Sequence, residues 1–486
     1  MALDLSSIEN FQDAVVTVMG LGRFKQGSGV GAAKWLMRHG AQIVITDLKS
    51  EEELQESIDE VMKWYSKYRK EYEHEIYQPI FVMGEHRKQD FEGVDLVVQN
   101  PGVPRESEFV RYAKEQGIKV ESDISLFFRY CPFPIYTITG TRGKSTTSAL
   151  FGQMLEHKHP KTVVAGNITR SPLEDLDWLL EEDNPVPIVL ELSSWLLESL
   201  ENVETGPEIA IFTTMFKDHL DRYDSFEDYL AAKQMMFKDQ TEDQFAVLNY
   251  DNKWIRETGE NKVTAQKFWF SMGGLPDDLQ GGYLRDDGML VVRRDGEEEI
   301  CERDHVLLRG DHNIQNSLAA ITAARLAGLD VEAIRNALEN FGGLPGRQEI
   351  VGEFGGVTYV NDTTATSQEG VNAALRRFGE DSDVVLITGG TAKGLTYEKM
   401  GEVIGEECKY VVYLEGSATD DIEAAVGGRV SGVRVDSMKE AVSAAAEAAE
   451  TGDVVIMSPG TSSFGMFKNE FDRGEQFKDA VNALAN

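Results

Sequence analysis

A chain of 486 residues with a net charge of −35 is too long for one hydrophobic core and too acidic for a nucleic-acid surface, since no basic block exists to neutralise phosphates. With 41% hydrophobic and 27% charged residues the composition is that of a soluble protein, no apolar run reaches membrane-spanning length, and the start, Met-Ala-Leu-Asp-Leu-Ser-Ser, lacks the basic-then-apolar order of a signal peptide. Cys131, Cys301 and Cys408 form no CxxC pair, so neither a disulfide framework nor a zinc site is expected and the cytosol is the expected compartment.

In chain order, Val15–Met19 reads as a short apolar strand entering Gly20-Leu-Gly22, residues 30–37 as a helix, and residues 42–46 as a second strand ending at Asp47. This is a βαβ outline with an acidic residue after its second strand, but Arg23-Phe-Lys-Gln-Gly-Ser-Gly29 lengthens the loop beyond any G-x-G-x-x-G. The reading is a Rossmann-like domain for a phosphate-bearing ligand, with Gly22 and Asp47 at its mouth; a purely structural turn is the alternative. Residues 51–72 read as a charged amphipathic helix, and 79–83 and 94–98 continue a parallel sheet. Cys131-Pro-Phe-Pro134 reads as a linker, closing a first domain at 1–131.

The second domain, 132–342, opens on a strand up to Thr139, a tight loop with Gly140 and Gly143, and a helix from Ser145. Backbone N–H groups at a helix N-terminus, with Lys144 reaching toward outer phosphates and the Ser145 hydroxyl toward Mg²⁺, make a phosphate cradle; the bland reading is a helix start capped by Thr141 or Ser145. Residues 187–191 read as a buried strand whose last residue, Glu191, is placed for a metal. The next strand, 208–212, delivers Asp218, His219 and Asp221 on one turn, and a helix over 226–237 carries Lys233 one turn beyond Tyr229. Residues 281–309 read as hairpin-like around Asp286-Asp-Gly288, and a helix capped by Asp311 places Asn313 and Asn316 on one face, where two amides suit a purine edge; helix capping alone is the alternative.

Gly342-Gly-Leu-Pro-Gly346 is a hinge candidate followed by Arg347, and the third domain, 343–486, repeats the α/β alternation. Its strand mouths carry Asn361-Asp362-Thr-Thr364-Ala-Thr366, Lys393 on a Gly-Gly loop, and Ser458-Pro-Gly-Thr-Ser-Ser463-Phe464, a second pocket without a phosphate cradle.

Taken together, Thr139-Gly-Thr-Arg-Gly-Lys-Ser-Thr146, Glu191-Leu-Ser-Ser, Asp218-His-Leu-Asp-Arg-Tyr, Tyr229-x-x-Ala-Lys233, Gly310-Asp-His-Asn-x-x-Asn316, Leu344-Pro-Gly-Arg347, Asn361-Asp362, and Ser458-Pro459 with Phe467-Lys-Asn-x-x-x-Arg-Gly474 resemble the Mur ligase family across nearly the whole chain. The resemblance implies three α/β domains: a Rossmann-like one for a UDP-sugar, a central P-loop ATPase and a Rossmann-like C-terminal one for an amino acid. It implies a monomeric peptidoglycan-precursor ligase that adds D-glutamate to UDP-N-acetylmuramoyl-L-alanine at the expense of ATP, through an acyl phosphate, with no nucleic-acid or membrane partner.

By the same matching, Gly140, Thr141, Arg142, Gly143, Lys144, Ser145, Thr146, Asn313, Asn316, Arg347 and Asp362 would hold ATP. Ser145 and Glu191 would bind one Mg²⁺, and His219 with a carbamylated Lys233 a second, leaving Lys144, His219 and Lys233 as the catalytic set. A carbamate is needed because an ammonium of reference pKa about 10.4 cannot ligate a hard cation. Gly22 and Asp47 would face the uridine, Asn167 the muramoyl side, and Thr366, Lys393, Ser463 and Phe464 the incoming glutamate. Three departures stand out: Arg142 in place of the usual Asn, the extra Lys-Gln-Gly-Ser stretch in the uridine-side loop, and Thr364 in place of a lysine near the amino-acid pocket. The last leaves an L-glutamate-adding or other amino-acid-adding ligase as the alternative.

Overall fold

The computed structural model describes residues 3–72, 75–104, 106–167, 170–218, 222–379, 382–392, 396–463 and 465–485. Three sheets organise the chain, in two compact units, Met1–Val306 with Asp311–Glu339 and Leu307–Gly310 with Asn340–Asn486. The first unit carries two of the sheets.

Its first sheet runs Ile80–Met83, Gln42–Asp47, Val15–Met19, Leu96–Gln99, Lys119–Glu121, all parallel. The order reverses between Val15–Met19 and Leu96–Gln99, and at such a switch point the loops leaving the strands' carboxyl ends part to leave a crevice. Gly20, Gly22, Asp47 and Asn100 line a cleft there. The long loop after Gly22 is braced by Asp47, whose Oδ2 accepts from the N–H groups of Leu21 (2.9 Å) and Gly22 (3.2 Å) while Oδ1 accepts from Lys49 N–H (2.9 Å). Asp47 is buried, so Asp47→Ala is expected to strand three N–H groups and destabilise the protein by about 2–4 kcal/mol, read in urea unfolding.

The second sheet has nine strands, in the order Glu297–Glu302, Met289–Arg293, Gly281–Leu284, Gln266–Ser271, Phe245–Asn249, Ile209–Phe212, Ile135–Thr139, Ile188–Glu191, Val163–Gly166. Its first two pairings are antiparallel, as the tight turns at Asp286-Asp-Gly288 and Arg294-Asp-Gly296 require. The helix Ser28–Arg38 joins the two sheets: Trp35 Nε1 donates to Asp177 (3.1 Å), His39 Nε2 lies 2.9 Å from the same carboxylate, and Arg38 pairs with it. Lys34, nearly buried, sits between Glu60 (2.8 Å) and Glu174 (3.3 Å).

The second unit is built on Glu349–Phe354, Val357–Asn361, Val454–Met457, Val384–Gly389, Cys408–Leu414, Ser431–Val435, parallel apart from the first pair. Apolar runs account for the buried central strands of each sheet. Expectation missed the edge strand Ser431–Val435, whose first four residues are exposed, and the strand Glu349–Phe354, whose sequence mixes charge and glycine. Two local readings are corrected. The helix from residue 51 stops at Tyr68, short of 72. Asp311 is the first residue of the helix Asp311–Leu326, and its carboxylate takes a hydrogen bond from Arg303 (2.6 Å).

Candidate active site

The strand Ile135–Thr139 is buried along its length and lies between Ile188–Glu191 and Ile209–Phe212, so the loop that leaves it is flanked by Glu191 on one side and Thr213 on the other. Gly140 and Gly143, both at positive φ, fold that loop against its neighbours: a Cβ on Gly140 would stand 2.0 Å from Thr213 Oγ1, and one on Gly143 2.3 Å from Asn316 Oδ1. The Thr213-Thr214 pair then pins the backbone. Thr141 N–H donates to Thr214 O (2.7 Å), Arg142 N–H to Thr214 Oγ1 (2.8 Å), and the Thr213 hydroxyl to Arg142 O (2.6 Å).

The helix Lys144–Glu156 begins without a side-chain cap. Thr141 Oγ1 lies 3.2 Å from the Tyr229 hydroxyl instead of capping the helix. First-turn N–H groups and the positive end of the helix dipole therefore face the loop, which suits an anion. Gly143→Ala is expected to cost about 1–2 kcal/mol from the left-handed backbone, more as Asn316 is displaced, and to weaken nucleotide binding in calorimetry.

Two lysines meet at one oxygen. Lys144 Nζ donates to Gly140 O (3.1 Å) and Thr141 O (3.3 Å); Lys233 Nζ, 1% exposed, donates to the same Gly140 O (3.1 Å) and to Thr139 Oγ1 (3.4 Å). Burial first, then the Lys144 charge, push the Lys233 amine well below the usual lysine range; Asp218 and Glu191 oppose the shift. The Tyr229 ring lies 4.9 Å from Lys233 Nζ, as the one-turn spacing requires.

Glu191 is buried at the end of its strand. Its Oε1 accepts from Asn167 Nδ2 (3.0 Å) and its backbone O from Asn167 N–H (2.8 Å), while Oε2 is buried with no partner among the described residues. A carboxylate oxygen left without a donor beside a phosphate loop is the donor type a hard cation takes. Among the described residues no three His, Cys, Asp or Glu gather as a metal cage, so Ser145, Glu191 and Lys233 are the described part of the expected set. Asn313 and Asn316 are buried on the helix beside the loop, which brings Asn316 against Gly143 rather than leaving both amides for a base. His219, Lys393 and Phe464 lie outside the described residues.

In the second unit, Asp362 is buried at a strand mouth, accepting from Ser458 Oγ (2.7 Å) and from the N–H of Gln348 (3.0 Å), a residue with φ of 49°. Arg347 precedes it and is exposed; Thr366 is half-buried and Ser463 buried along the same sheet edge. Thr364 carries no charge to that edge; its hydroxyl donates to Gly346 O (3.0 Å). Burial pushes the Asp362 carboxyl up to about 7, against the pull of Ser458, Gln348 and the Arg347 and Arg377 guanidiniums.

Between pH 4 and 7 the folded state thus holds a proton there that the unfolded chain has released, so stability falls as pH rises through that window and levels off above it. Asp362→Asn is expected to flatten that slope and to raise the stability of the unliganded protein at pH 8 by up to about 4 kcal/mol, measured by urea unfolding at pH 5 and pH 8. Sequence reading gave no role to Thr213 and Thr214, and placed Ser458 at a strand mouth without its partner Asp362. Their common signal was a hydroxyl placed directly after a buried strand.

Comparison with known proteins adds to this geometry. Residues 138–324 match the Mur ligase middle domain, and residues 346–460 match the Mur ligase glutamate ligase domain. The chain is 39% identical over 480 residues to the UDP-N-acetylmuramoylalanine–D-glutamate ligase of Roseiflexus sp. (strain RS-1), covering 96% of this chain and 98% of that protein. It is 34% identical over 470 residues to the ligase of the same name from Geobacter metallireducens, covering 96% and 97%. Among solved structures it is similar to MurF of Acinetobacter baumannii (TM-score 0.59, 14% identity, 97% and 93% covered). It is also similar to the UDP-N-acetylmuramate-alanine ligase MurC of Thermotoga maritima (TM-score 0.57, 17% identity, 97% and 99% covered). At such identities the likeness is one of fold, the three-domain α/β architecture.

Proposed function

The chain belongs to the Mur ligase family, and from that membership we propose that it joins D-glutamate to UDP-N-acetylmuramoyl-L-alanine at the expense of ATP, a step of peptidoglycan precursor synthesis. The observation that carries the reading within this molecule is the meeting of Lys144 and Lys233 on Gly140 O, with Glu191 in the neighbouring strand.

The loop N–H groups and Lys144 hold and orient the triphosphate. The substrate carboxylate attacks the γ-phosphorus, the bond to the ADP oxygen breaks, and an acyl phosphate forms; the amine of glutamate then attacks the acyl carbon, expels phosphate and loses a proton. An anion attacking an anion needs dense positive charge, which Lys144 brings from the loop. Mg²⁺, which members of the family use, would be held by Ser145 and Glu191, with a second ion on His219 and Lys233, and would supply further charge at the phosphates when bound. Lys233 reaches that role through its depressed basicity: the neutral amine combines with carbon dioxide, releases a proton and becomes a carbamate, an oxygen ligand.

By family resemblance Asn313, Asn316, Arg347 and Asp362 are each assigned a contact to ATP. Gly22 and Asp47 shape the sugar-nucleotide cleft, Asn167 faces the muramoyl side, and Thr366, Lys393, Ser463 and Phe464 receive the amino acid. We place the domain limits at 1–131, 132–342 and 343–486, and the protein as a cytosolic monomer; among the described residues no helix is long and apolar enough to cross a membrane.

Phosphate release measured with UDP-N-acetylmuramoyl-L-alanine and a panel of D- and L-amino acids tests the reading. D-glutamate is expected to be the acceptor that supports turnover. Turnover with L-glutamate instead would favour the alternative acceptor that Thr364, standing in place of a lysine, leaves open.

A further inference from the structure

The stretch Lys25-Gln-Gly-Ser28 lengthens the first glycine loop, and nothing in the reaction accounts for it. One end of that loop is held by Asp47 through Leu21 and Gly22. The other end is tied across to the second sheet: Gln26 O accepts from Ser171 N–H (2.8 Å). The Ser171 hydroxyl donates to Asp123 Oδ2 (2.8 Å), and Ser28, the first residue of the helix Ser28–Arg38, faces the same carboxyl. Asp123 is 1% exposed and its carboxyl is raised by burial, opposed by the Ser171 and Ser28 hydroxyls. The approach is close enough that a Cβ on Gly31 would stand 2.4 Å from Ser171 Cβ.

Ser171 closes a short path to the metal side. Arg170, its neighbour, takes a hydrogen bond on its carbonyl from Gly166 N–H (3.0 Å), and Asn167 gives both its backbone N–H and its side-chain amide to Glu191. Gln26 is thus connected to the Asn167 amide and the Glu191 carboxylate through few, hydrogen-bonded residues. Docking of the two sheets does not require this arrangement, because Asp177 with Trp35, Arg38 and His39, and Lys34 with its two glutamates, already join them. A fully buried carboxyl is costly unless it is hydrogen-bonded, and the Ser171 hydroxyl supplies that bond to Asp123, which fixes the two residues to each other.

We propose that Ser171 and Asp123 are positioning residues that lock the long glycine loop to the segment bearing Asn167, so that seating the sugar nucleotide sets the Asn167–Glu191 pair for the phosphoryl step. The proposal rests on the reading of the first cleft as the sugar-nucleotide site. It gives the extra loop stretch its purpose: Gln26 and Ser28 are the residues it contributes to the lock.

The test is calorimetric coupling. UDP-N-acetylmuramoyl-L-alanine is titrated into the full-length protein with and without saturating Mg²⁺·ADP, for wild type, Ser171→Ala and Asp123→Asn. In wild type each ligand is expected to tighten the other by at least about five-fold, and in both variants the factor falls to about one while Mg²⁺·ADP alone binds within about two-fold of wild type. Turnover in Ser171→Ala is expected to drop about ten-fold with the KM for ATP unchanged, a split that simple loosening of the fold would not produce. Ser171→Ala keeps the backbone N–H on Gln26 O and removes only the hydroxyl that fixes Ser171 to Asp123, so it isolates the side-chain lock and decides the matter should Asp123→Asn fail to fold. Wild-type binding without coupling, or coupling intact in Ser171→Ala, overturns the lock alone. Wild-type protein that binds no sugar nucleotide overturns the reading of the cleft and the lock with it.

Discussion

Replacing Lys144 by alanine is expected to lower phosphate release by at least about 10³-fold while the melting temperature moves by only a few degrees. In the structure this ammonium is half-buried and rests on the carbonyls of Gly140 and Thr141, contacts that a loop can forgo. What it cannot forgo is a cation fixed where charge builds on the transferring phosphoryl group, because a carboxylate must approach a polyanion. Lys144→Arg is expected to fail nearly as badly, since a planar guanidinium does not fit a loop pinned at Thr141 and Arg142 by Thr213 and Thr214. Retention of more than about a tenth of wild-type turnover in Lys144→Ala would remove the phosphate-loop assignment.

Lys233→Ala is expected to lose turnover by a comparable factor, and millimolar formate or acetate to restore about ten-fold of it, because a small carboxylate would supply the oxygen ligand assigned to the proposed carbamate. Lys233→Arg should not respond to either acid: the guanidinium keeps its charge and fills the buried space beside Tyr229. The two variants separate a ligand role from an ion-pair role. If acetate rescued neither variant, Lys233 would be a structural lysine that satisfies Gly140 O, and the second metal would need another donor.

Much of this site was legible in the residue order because its parts sit at the ends of apolar strands. Ile135–Thr139 and Ile188–Glu191 end in polar residues, Ile209–Phe212 is followed directly by Thr213 and Thr214, and the parallel pairing Ile138↔Glu191 brings the first two of those ends together. The helix spacing of Tyr229 and Lys233 was equally readable, since one turn brings residues four apart onto one face. What could not be read was contact at long sequence separation between small polar groups. Nothing in the local sequence says that Thr213 and Thr214 hold the Arg142 backbone, that Ser458 meets Asp362, or that Ser171 meets Asp123. Edge strands were lost for another reason: Ser431–Val435, exposed over most of its length, offers only Val433 and Val435 as an apolar alternation, too short to detect.

The crowding of two lysine side chains on one peptide oxygen has a temporal consequence. An amine as enclosed as that of Lys233 exchanges with dissolved gas only when its surroundings open, so protein stripped of bicarbonate at low pH should regain activity over a lag after CO₂ is restored, and the length of that lag reports how often the site breathes.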